Sequence, residues 1–200
     1  MTQCSLYPWY RGTLHPENPD AAGRRDLWIA AGWAFAEATV FFIVPDVWLT
    51  RIALTDFRRA LRACLVATLA AMLGGAAMFA FGRTDAPAAE RVLDGIPGIS
   101  PAMVGRVRGK LESDGPAAML AGPLTGVPYK IYAVESGGLA LDAGAFLAWS
   151  VAARLPRFAL LCGGAALAAR LLRGQRRLLS WLHVTLWIGF YTVYFLRAGR

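Results

Sequence analysis

Ionisable residues stand inside two long apolar stretches of this chain, and both stretches also carry proline. Residues 27–54 read LWIAAGWAFAEATVFFIVPDVWLTRIAL, with Glu37 and Asp46 embedded and Pro45 between them. Residues 118–134 read AMLAGPLTGVPYKIYAV, with Pro123, Gly126, Pro128 and Lys130. A charged side chain at a bilayer centre costs about 2.5–3.5 kcal/mol on insertion scales. Proline inside a helix removes a backbone hydrogen bond and blocks smooth continuation. In a membrane both faults persist only where they face protein or a wet cavity. The pattern predicts two proline-broken, re-entrant segments and places function there.

Composition supports a membrane class. Of the 200 residues, 56% are hydrophobic and 17% charged, and the mean hydropathy is +0.43, too apolar for an ordinary soluble domain. The net charge of +8 is carried by arginines at the ends of apolar runs, which suits anionic lipid headgroups rather than nucleic acid. Cys4, Cys64 and Cys162 lack paired spacing, and His15 and His183 are far apart. No disulfide framework, metal site or cofactor is expected. The first 26 residues show no apolar core of a signal peptide, so the apolar segments themselves direct insertion.

The expected fold is all-α: a polytopic membrane protein with two re-entrant, proline-broken hairpins and about three spanning helices. Residues 1–26 form a polar arm with Trp9 and Tyr10, and residues 27–54 the first hairpin, a helix to about Val44 that breaks at Pro45-Asp46. Arg24 and Arg25 precede this hairpin and Arg58, Arg59 and Arg62 follow it, which puts both its ends on the cytoplasmic side. Residues 63–82 have spanning length, with a small-residue face at Gly74 and Gly75. Residues 84–116 form an extramembranous connector whose helix is capped by Ser100-Pro101 and stopped at Asp114-Gly115-Pro116. Residues 117–153 form the second hairpin, ending in a helix from about Leu139 to Ala153. Spans follow at 155–173 and 180–196, and the Arg170, Arg173, Arg176, Arg177 cluster between them is cytoplasmic. The Trp and Tyr residues of 180–196 read as an interface belt. Two hairpins entering from opposite faces make the inverted layout of secondary transporters, although no residue-level repeat is visible.

These pieces, in order, resemble a known family. Glu37 with FFIVPDVWL, the arginines after it and LGGAAMFAFGR resemble the first half of the DedA (VTT, SNARE-associated) membrane proteins. TGVPYKIYAVESGG and ARLPRF, within residues 125–158, resemble that family's proline–basic segment and downstream Arg motif, closest to the small bacterial branch with a Pro-Tyr-Lys segment. The resemblance spans about residues 33–160. It implies a multi-pass bacterial inner-membrane protein that moves polyprenyl phosphate or phospholipid between leaflets, coupled to protons or another cation. It further implies acidic coupling residues at Glu37 and Asp46, and a lipid-phosphate site at Lys130, Arg154 and Arg157. Lys130 stands where many relatives carry Arg, and a lysine is a point charge without the bidentate fork of arginine.

Other readings remain beside the carrier. Asp46 suits a helix N-cap as well as a coupling role. The five charges would cost about 12–18 kcal/mol unpaired in hydrocarbon, so some pairing is close to obligatory. That fits a non-transport assembly or homeostasis factor too, and a homo-oligomer is compatible with either. A membrane enzyme acting on lipid phosphates is the third alternative, but no nucleophile–base motif supports enzymatic activity. The run from Gly95 to Pro101 with its following helix imitates a DNA-phosphate-binding hairpin. Lodged between membrane units, it reads instead as a turn into an interfacial helix.

Overall fold

The computed structural model describes residues 19–172 and 174–198; the rest of the polar arm, with Cys4, Trp9, Tyr10 and His15, and Arg173 and Arg200 lie outside the described residues. Among the described residues, regular structure is entirely helical. In chain order the helices are α1 (Pro19–Thr39), α2 (Asp46–Ala53), α3 (Phe57–Thr84), α4 (Ala86–Asp94), α5 (Pro101–Asp114), α6 (Gly122–Thr125), α7 (Tyr129–Gly138), α8 (Ala143–Leu171) and α9 (Arg176–Ala198), with a 3₁₀ segment at Gly115–Ala121. Three are long and apolar enough to cross a membrane: α3, α8 and residues Arg177–Leu196 of α9. This is a helical membrane protein.

α3 is the central post. Asp56 caps it by accepting the Arg59 N–H (2.9 Å), which satisfies an otherwise orphaned donor of the first turn. One face carries Leu61, Leu65, Leu69 and Leu73, all exposed. The other carries Ala60, Ala63, Ala67 and Ala71, all fully buried against the α1 stripe of Ala30, Ala34 and Ala38. Spacings of three and four put each set on one side of a helix. Lipid is as apolar as leucine, so burial alone does not hold helices together in a bilayer; small side chains permit the close backbone approach that does.

Directions along α3 define the architecture. Asp26 of α1 pairs with Arg59 (3.4 Å) near the start of α3, while Phe35 and Ala38 lie against Gly74 farther along. α1 thus runs beside α3 in the same direction, and residues 40–56 return the chain to the start of α3. α7 also follows α3, from Tyr129 at Gly75 to Val134 at Gly82. α8 runs the opposite way: Phe146 stacks on Phe79 (5.0 Å), and Cys162 Sγ lies 3.5 Å from Cys64 Sγ. The two broken units meet near Gly74 and Gly75.

Several boundaries differ from the sequence reading. α1 begins at Pro19, taking in the last residues of the polar arm, because proline suits a first helical turn. It ends at Thr39 rather than near Val44, so the break spans residues 40–45. The connector holds a second helix, α4, capped by Asp85 accepting from Ala88 N–H (3.0 Å). α5 matches the expected cap, with Ser100 Oγ accepting from Met103 N–H (3.3 Å), and ends at Asp114. The largest correction is α8. The helix expected at 139–153 and the span expected at 155–173 are one element, passing through Pro156 without a break. Proline removes one hydrogen bond, but α2 and α3 pack along this helix and hold its axis.

Gly137 is where α7 comes closest to α3: a Cβ there would overlap the Phe79 carbonyl oxygen and sit 2.9 Å from the Arg83 backbone nitrogen. Backbone atoms cannot move aside as a flexible side chain can. Gly137→Ala is expected to destabilise the protein by about 3 kcal/mol, the upper end for overpacking. Gly163→Ala, where nothing lies within 4 Å, is the control and is expected to leave the melting temperature in detergent unchanged.

Candidate functional site

The break after α1 creates the first half of the site. Residues 40–45 are not helical, so the Phe41 carbonyl has no helical donor. Lys130 supplies one: its Nζ donates to Phe41 O at 3.0 Å. Lys130 reaches that depth because Gly126 and Pro128 reset the chain. Gly126 ends α6 in the left-handed conformation (φ 72°), which glycine adopts without strain, and Pro128 precedes α7 in an extended one. Pro123 sits in the first turn of α6, and Pro45 stands directly before α2. All four break residues therefore flank helix ends. Lys130 is 1% exposed.

α8 supplies the second half. Arg154 and Arg157 are three residues apart and share a face. Arg154 pairs with Glu37 on the last turn of α1, and Arg157 pairs with Asp46 at the start of α2. Glu37, Asp46 and Arg154 are buried. The Arg154 guanidinium also lies over the Tyr129 ring (4.5 Å to the centroid) and near Phe158 (5.4 Å), a cation–π arrangement that strengthens when desolvated. Tyr129 is fixed in turn by donating to Ser150 Oγ (2.8 Å). Asp46 does not cap α2: its side chain is committed to Arg157, and Pro45 occupies the cap position without a side-chain bond. The Nε atoms of Arg154 and Arg157 are buried without a hydrogen-bond partner.

Glu37, Lys130, Arg154 and Arg157 line one cavity of about 690 Å³; Asp46 stands behind Arg157. Three cations face two carboxylates, leaving one surplus positive charge. The remaining walls are mostly apolar or aromatic, including Phe42, Val127, Phe190 and Tyr194. A concave apolar chamber with few convergent polar groups is the usual form of a small-molecule site.

α9 closes the cavity, and here the belt reading needs correction. Trp181 is exposed, but Trp187, Tyr191 and Tyr194 turn inward on one helix face. Trp187 Nε1 donates to His183 Nε2 (3.2 Å) and Thr50 Oγ1 (3.3 Å). Tyr191 OH accepts the Val44 N–H (2.7 Å), and Tyr194 OH donates to the Gly98 carbonyl (3.1 Å). The glycine turn that imitates a DNA-binding hairpin is thus engaged by α9, and His183 is packed. The sequence reading missed Tyr129, Ser150 and Tyr191. The four- and three-residue spacing of Trp187, Tyr191 and Tyr194 is the signal that could have found the inward face. The chain matches no family model, no curated protein and no solved structure.

Arg157→Gln is expected to leave Asp46, 1% exposed, as an unpaired buried carboxylate. Breaking a buried pair costs about 3–5 kcal/mol; the lower end is expected because the Arg157 side chain is 28% exposed. Adding Asp46→Asn should recover most of the loss, read as thermal unfolding of purified protein. A double variant no more stable than Arg157→Gln would contradict this, showing that a stranded Asp46 charge is not what destabilises the single variant.

Proposed function

We propose that this protein is a carrier, not an enzyme, that moves a phosphate-bearing lipid between the leaflets of a bacterial inner membrane, coupled to protons or another cation. The observation that carries this reading is the surplus positive charge lining an otherwise apolar, aromatic-walled cavity. An amphipathic anion complements both features: its headgroup would meet Lys130, Arg154 and Arg157, and its chain the apolar walls. A cavity of about 690 Å³ suits a headgroup with the first part of a lipid chain, the remainder extending into the bilayer.

In this reading the two broken units are opposed re-entrant hairpins. The parallel course of α1 and α3, with the return through residues 40–56, supports the first hairpin, open to the cytoplasmic side. The inward passage from the connector to Tyr129 and the return along α7 support the second, open to the other side. Their tips meet where Lys130 grips Phe41 O. Substrate phosphate competes with Glu37 and Asp46 for the arginines, so binding and ion-pair exchange are linked. The DedA resemblance leads to the same substrate class, with polyprenyl phosphate and phospholipid as the two candidates.

The test is binding to purified protein in nanodiscs, comparing a polyprenyl monophosphate with the corresponding polyprenol and a phosphatidic acid with the matching diacylglycerol. At least a tenfold preference for the phosphorylated member of one pair is expected. Hydrogen bonds to charged groups contribute about 1.5–3 kcal/mol, so Lys130→Ala should weaken phosphorylated-lipid binding about 10–100-fold and leave the bare lipid unaffected. Equal binding of phosphorylated and bare lipid by the wild-type protein would contradict the carrier reading and favour an assembly factor whose charges serve folding alone.

A further inference from the structure

α7 carries a second charged group, outside the cavity. Glu135 lies five residues after Lys130, about 7.5 Å farther along the helix axis, where α7 meets the connector. It is 2% exposed, and its Oε1 has no hydrogen-bond partner. Its Oε2 faces the Arg108 guanidinium at 3.6 Å. Arg108, on α5, is shared with Glu90 of α4 (3.4 Å) and Glu112 of α5 (3.6 Å). One arginine thus serves three carboxylates, two of them at the surface and one enclosed. Glu37 and Arg154, the charged groups that α1 and α8 bring near α7, are paired with each other in the cavity, and α3 brings Arg83, an exposed arginine whose backbone lies against Gly137.

We propose that Glu135 is a proton-binding site through which protonation controls how firmly α7 is seated against the connector helices α4 and α5. With the proton bound, the buried side chain is neutral and Arg108 is served by Glu90 and Glu112. With the proton lost, three carboxylates share one guanidinium and a charge stands in an enclosed, partly unsatisfied place. The closed packing is then disfavoured. Burial, followed by the Glu90 charge, raises the Glu135 pKa to about 7, with Arg108 opposing and Glu112 adding to the rise. The shift has a defined sign. The folded chain holds this proton more tightly than the unfolded chain, so the associated stability is fully present below about pH 4.5 and lost as pH rises through about 7.

What the switch would govern rests on the carrier reading: loosening α7 at Glu135 displaces the helix that holds Lys130 in the cavity. The proton site is therefore separate from Glu37 and Asp46, which the structure commits to ion pairs.

The direct test is infrared difference spectroscopy of the full-length protein in nanodiscs across pH 5–9. A protonated-carboxyl band with a midpoint near pH 7 is expected in wild type and should be missing in Glu135→Gln. Glu90→Gln removes a repelling charge and should lower the midpoint; Arg108→Gln removes an attracting one and should raise it. Both positions are partly exposed, so these variants carry the test even if Glu135→Gln folds poorly. The fall in melting temperature between pH 6 and pH 8 should also shrink in Glu135→Gln. A band that persists in Glu135→Gln, or a midpoint that moves in neither other variant, would overturn the proposal. Lipid movement is a separate arm. In vesicles containing a polyprenyl monophosphate, wild-type movement should vary between pH 6 and pH 8, and movement by Glu135→Gln should not. Unaltered pH dependence in that variant would overturn the coupling. No movement by wild type at any pH would count against the carrier reading alone.

Discussion

The contact between Glu37 and Arg154 joins the two halves of this molecule. Glu37 stands in the last turn of the first helix and Arg154 in the middle of α8, so a residue of the N-terminal unit meets a buried one from a distant helix. Neither charge could remain alone in hydrocarbon without a cost of a few kcal/mol. Once paired, they fix the register of α1 against α8. Arg157 three residues later then reaches Asp46, and Lys130 is left to satisfy the broken backbone at Phe41. The cavity is what remains between groups held in this way.

Around the pair, the packing is built from small residues. The alanine stripes of α1 and α3 and the glycines at positions 74, 82 and 137 bring backbones within reach of one another, and Gly75 makes room for the Tyr129 ring. The leucines of α3 are turned outward, where lipid provides equivalent contacts. α9 is attached differently. It is largely exposed and held by hydrogen bonds that tie Trp187, Tyr191 and Tyr194 to Thr50, Val44 and Gly98 respectively.

Much of this was legible in the sequence because breaks and charges are local signals. The break at Pro45, though not the end of α1 at Thr39, the Gly126–Pro128 reset and the Ser100 cap each follow from the residues at that position. The five charges were legible as a group that must find partners, because hydrocarbon penalises any that do not. Which carboxylate meets which arginine was not legible, since it depends on the relative direction of α1, α2 and α8, a tertiary property. Pro156 misled for a related reason: proline weakens a helix locally, but neighbours on both sides decide whether it ends. Glu135 escaped notice because an acidic residue near a helix end ordinarily faces water. Its burial is created by α4 and α5, elements distant in sequence. The inward faces of the α9 aromatics were similarly hidden, as an aromatic-rich span reads as an interface belt until its partners are placed.

The measurement closest to the centre of this structure is a double-mutant cycle on Glu37 and Arg154. Thermal or denaturant unfolding would be compared for wild type, Glu37→Gln, Arg154→Gln and the double variant. Residues sharing a buried ion pair couple by up to about 3 kcal/mol, and a coupling of about 2–3 kcal/mol is expected, with the double variant more stable than the sum of the single losses implies. Additivity within about 0.5 kcal/mol would contradict it, showing that the two residues do not meet and that the cavity is not assembled around them.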